Sequence, residues 1–113
     1  MTLLVISAVA MALTAVAHSI VGEKRLIGPL LALNLELLSG YRASLVRFAW
    51  HFTSLLMIIT AFLVAWPETS TPLIRITGSI WLLAGVLDAI LTRGKHIGWP
   101  LLTAAGLLAL LGA

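Results

Sequence analysis

Arg47 and His51 stand four residues apart in the stretch Arg47–Ser54, which opens a long apolar run. On a helix that spacing puts the cation and the imidazole on one face, with Ser44 and Ser54 in line above and below. The chain has a few further groups able to meet them: His18, Glu23, Asp88 and His96. Imidazole with carboxylate suits a transition-metal ion, and histidines on facing helices can hold haem iron axially. The expected ligands of a metal ion or haem are therefore His18, His51 and His96. Glu23 and Asp88 would assist, and Arg47 would supply positive charge to a carboxylate or an anionic ligand. Against this, there is no His-x-x-x-His, His-Glu-x-x-His or Glu-x-x-His pair. Two other chemistries use the same residues. A desolvated His or Asp beside Arg47 suits proton- or ion-coupled transport. Alternatively, the polar groups bond to one another, to Ser and Thr or to backbone carbonyls, and only hold helices together in a structural or accessory subunit. No catalytic or substrate-binding residue is assigned.

The elements that must position these groups are membrane spans. Of 113 residues, 61% are hydrophobic and 10% charged, against about 25% charged in soluble proteins. A chain this short cannot hide so much apolar surface from water, but a lipid bilayer can take it. The net charge of +3 comes from scattered Lys and Arg without a basic tract, so nucleic acid is not an expected partner. There is no Cys, which excludes disulfides and thiolate chemistry.

A spanning helix needs about 20 mostly apolar residues. The pattern predicts an all-α four-helix bundle, one domain over residues 1–113, with spans at about 2–21, 44–66, 72–92 and 96–112. The last is short and must begin near His96 or sit in a locally thin bilayer. No Lys or Arg precedes the first apolar run, so it is read as a retained span and not as a cleaved signal. The first connection is long and apolar. Pro29 at its start and Gly40 at its end predict a short interfacial or re-entrant helix at about 29–39.

Six of the seven cations (Lys24, Arg25, Arg42, Arg47, Arg93 and Lys95) flank connections one and three. The positive-inside rule makes those connections cytoplasmic and both termini periplasmic. This orientation brings His18, Glu23, Arg47, His51, Asp88 and His96 to one height, in a polar pocket near the cytoplasmic face. Each span carries one polar stripe: Ser7, Thr14 and His18; Ser44, Arg47, His51 and Ser54; Thr77, Trp81, Asp88 and Thr92; His96, Trp99 and Thr103. The short fourth span and the spaced Ala and Gly suggest a homo-oligomer.

The phrases Ala17–Leu30 (AHSIVGEKRLIGPL), Arg47–Ser54 (RFAWHFTS) and Lys95–Pro100 (KHIGWP) resemble those of uncharacterised small four-span bacterial inner-membrane proteins. The resemblance implies the four-span layout and an inner-membrane location. It implies no activity, substrate or cofactor.

Overall fold

A computed structural model describes residues 2–113. Four helices run antiparallel: α1 (Leu3–Ala32), α2 (Tyr41–Ala65), α3 (Thr71–Leu91) and α4 (Gly98–Gly112). Among the described residues there is no strand. The first three helices are long and apolar enough to cross a membrane, and α4 is a shorter apolar helix of 15 residues. Their order in space differs from their order in the chain. α1 packs between α2 and α4, and α3 packs on α4. α2 and α3, joined by the Pro67–Ser70 turn, touch little. They are tied instead by Trp81, whose Nε1–H donates to Thr60 Oγ1 at 3.0 Å.

The interior is built of small and weakly polar side chains. Ser7, Ala8, Met11, Thr14 and Ala15 of α1 are buried, with Thr77, Gly78 and Gly85 of α3 and Ala105, Gly106 and Ala109 of α4. Trp81 and Ile74 are buried like Met11, but most large side chains, among them Leu13, Phe62, Ile80 and Leu107, lie exposed on the outside. A water-soluble bundle does the reverse. Lipid tails are as apolar as Leu, so in a bilayer the helices gain most by close approach through small residues. Large apolar side chains on the outer face then meet lipid.

The first connection departs from the expected short helix at 29–39. α1 does not end near Val21 but continues for 30 residues, about 45 Å, to Ala32. A π turn at Glu23–Ile27 makes this continuation feasible, with the Gly28 N–H bonded five residues back to the Glu23 carbonyl. In α register the Pro29 ring would collide with the carbonyl of Arg25 and leave it unbonded. The wider turn relieves that conflict. Gly28 is required here, because a Cβ would lie 2.8 Å from the Glu23 oxygen. The remaining residues break into a 3₁₀ turn at Glu36–Leu38 and a reversal at Gly40. Gly40 has φ +59° and ψ −134°, a region open essentially to glycine alone.

Candidate functional site

The polar groups gather on the seam between α1 and α2. His18, Ser19, Gly22 and Glu23 face Arg47, Trp50, His51 and Ser54, each set at helical spacing. His18 Nδ1 meets Ser54 Oγ at 2.8 Å, and Ser19 Oγ meets Ser54 Oγ at 2.6 Å. His51 Nδ1 meets Ser19 Oγ at 2.9 Å. These contacts form one unbroken file: His51, Ser19, Ser54, His18. Beyond His51 stands Glu23. Its Oε1 accepts from Arg47 Nε at 2.6 Å. Its Oε2 is buried and has no hydrogen-bond partner, with His51 Nε2 3.7 Å away.

The file has a definite polarity. Each hydroxyl has one proton to donate. If Ser19 donates to Ser54, then Ser54 donates to His18 Nδ1, and Ser19 accepts from His51 Nδ1–H. In that state the second proton position of His51, Nε2, is bare and faces the unpartnered Glu23 oxygen. His18 then carries its proton on Nε2. Reversing any one bond reverses them all, so the two imidazoles hold opposite tautomers in either setting.

Trp50 fixes the His18 end. Its ring stacks on the imidazole at 4.2 Å between centroids and 8° between planes, and its Nε1–H donates to the His18 carbonyl at 2.8 Å. Gly22 makes room for that ring, since a Cβ there would fall 2.3 Å from the Trp50 Nε1. His18 and Trp50 also wall a cavity of about 350 Å³ between α1, α2 and the start of α4, open on one side. Its walls are mainly apolar, with the exposed Arg25, Lys95 and His96 in its lining, and it is not a closed polar pocket.

Asp88 and His96 form a separate pair. His96 Nδ1 lies 2.6 Å from Asp88 Oδ2, and neither residue joins the file on the α1–α2 seam. His96 precedes α4 and does not belong to it. Of the sequence candidates, then, His18, Glu23, Arg47 and His51 lie together, and His96 reaches the same cavity as His18. Among the described residues, no group of three or more His, Cys, Asp or Glu side chains is placed to hold a metal ion. The Nδ1 atoms of all three histidines are taken by Ser54, Ser19 and Asp88.

Sequence reasoning did not single out Ser19, Gly22 and Trp50. Their positions carry a signal, since Ser19 precedes Glu23 by four residues and Trp50 follows Arg47 by three. Ser44, expected in the same stripe as His51, is exposed. No family model, curated protein or solved structure matches the chain.

Proposed function

We propose that this is an integral membrane protein that relays protons along the α1–α2 seam, between Glu23 at one end of the file and the cavity at His18, both toward the cation-rich end. One observation carries the reading: the hydroxyls of Ser19 and Ser54 join two imidazoles, with a buried carboxylate oxygen waiting at one end. A protonated Glu23 gives its proton to His51 Nε2. The Nδ1 proton of His51 passes to Ser19, that of Ser19 to Ser54, and that of Ser54 to His18 Nδ1. His18 then releases its Nε2 proton into the cavity. One proton enters and one leaves, and the file resets when the hydroxyls and imidazoles return to their first setting. Imidazole suits this work because its two nitrogens take and release protons near neutral pH.

The cation-rich end carries Lys24, Arg25, Arg42, Arg47, Arg93 and Lys95, and it is assigned to the cytoplasm of a bacterial inner membrane with both termini outside. A metal or haem centre on His18, His51 and His96 receives no support from the side-chain arrangement.

The test is proton entry into the cavity of the purified protein in micelles after a pH jump, read as quenching of Trp50 by protonation of the His18 ring stacked on it. Ser19→Ala cuts the file at its centre and is expected to slow entry about tenfold or more, within the range general for positioned proton transfer. Thr53→Ala is the control, because that hydroxyl only bonds back to Ala49 within α2. Equal rates in wild type and Ser19→Ala would overturn the reading.

A further inference from the structure

The cavity at His18 is chemically divided. Leu26, Trp50, Met57, Leu101 and Leu102 make it apolar. Arg25 and Lys95 bring two formal positive charges to its edge, and His18 and His96 add two imidazoles. No carboxylate lines it. The nearby acids are engaged elsewhere, Glu23 with Arg47 and Asp88 with His96. Such a site repels a cation and offers a neutral polar molecule few apolar-compatible contacts. It matches an anionic head attached to an apolar tail, and its volume falls at the lower end of small-molecule sites.

We infer that this cavity binds an amphipathic anion, a single acidic group on an apolar chain, with the head between Arg25 and Lys95 and the tail along Met57, Leu101 and Leu102. The inference deepens the proton-relay reading by naming what receives the proton, and it rests on that reading for the transfer alone. His18 Nε2–H gives its proton to an oxygen of the bound acid. The acid becomes neutral and able to enter the apolar phase, and the file restores the proton from Glu23. A free lipophilic carboxylate and the phosphodiester of an anionic lipid present the same anionic head to Arg25 and Lys95, and the proton transfer applies to the carboxylate, because a phosphodiester is too weak a base to take a proton from imidazole.

Binding is read at Trp50, independently of any proton movement. The protein is placed in phosphatidylcholine nanodiscs and titrated with ω-brominated undecanoate, whose bromine quenches indole on contact. The expected result is saturable quenching, absent in Trp50→Phe and reversed by excess undecanoate. In the double variant Arg25→Gln/Lys95→Gln the half-saturation concentration should rise at least about tenfold. In Arg42→Gln/Arg75→Gln it should not move. Equal quenching by an ω-brominated undecyl trimethylammonium, an unmoved half-saturation in the first double variant, or no saturable quenching would each overturn the inference. A parallel arm uses phosphatidylglycerol with a brominated chain. Quenching there with the same charge dependence assigns the head to a lipid, and quenching by the free acid alone assigns it to a solute. Saturable binding with unchanged proton entry in Ser19→Ala would keep the site and remove the relay.

Discussion

The α3–α4 seam and the α1–α2 seam are both antiparallel helix pairs, yet they close by different means. Between α3 and α4 the backbones themselves meet. A Cβ on Gly106 would stand 2.4 Å from the Leu82 nitrogen and 2.7 Å from the Gly78 carbonyl, and one on Gly85 would stand 2.6 Å from the Thr103 nitrogen. Between α1 and α2 the contact runs through side chains, in the file of His, Ser, Glu and Arg and the stacked Trp50. The first seam uses shape and the second uses hydrogen bonds. Without a hydrophobic force between helices in lipid, either one holds a pair together. They differ in what they tolerate. A dry seam of glycines fails when volume is added. A polar seam survives small losses of volume, but a single deleted hydroxyl breaks its continuity.

That contrast can be broken at several points. The largest effect is expected for Gly106→Leu, which drives a side chain into backbone that cannot yield. Loss of about 3 kcal/mol or more is expected, read as a collapse of the unfolding midpoint in micelles. An unchanged midpoint would mean that the α3–α4 seam is not set by close approach. Next comes Gly22→Leu, which displaces the Trp50 ring. Because that ring is half-buried and has room to swing outward, a smaller loss of about 1–2 kcal/mol is expected. Proton entry should fall with it, since His18 loses its stacking partner.

Smaller again in stability is Ser54→Ala, at about 1 kcal/mol, for two hydrogen bonds between membrane helices that average about 0.6 kcal/mol each. Its proton entry should nonetheless fall as far as in Ser19→Ala. A large stability loss without separable loss of proton entry would make the α1–α2 file a purely structural fastening. The smallest effect is expected for Arg47→Gln. The guanidinium is 47% exposed and its partner carboxylate 34%, and exposed ion pairs contribute about 0–1 kcal/mol. A stability loss well above that range would show that Arg47 holds the seam and does not merely neutralise Glu23.

Much of this architecture was legible in the sequence. Apolar length marks all four helices, and Pro67 and Pro72 bracket the α2–α3 turn. The spacing of Arg47, His51 and Ser54 marks the face of α2 that meets α1. What could not be read was the partner of each stripe. Helical periodicity gives a direction around one axis and says nothing of which neighbour lies there. Hence Asp88, expected at the height of His51, belongs to a different pair. Pro29 also misled, because the usual meaning of proline at a helix start hid the alternative of a widened turn that carries the helix through it. Ser19 was passed over because a lone serine in an apolar run is ordinary, and only its neighbours on α2 give it a role.

The widened turn at Glu23–Ile27 has a geometric consequence for everything beyond it. It spends one residue more than an ordinary turn, so the far portion of α1 is out of phase with the near portion by roughly 100°. Glu23 thereby looks toward Arg47 while Arg25 and Leu26, only two and three positions on, border the cavity. Shortening the chain there by a single residue would set the Pro29 ring against a carbonyl again and turn the tip of the rod like a mis-set dial, swinging its far side chains to another quarter of the helix.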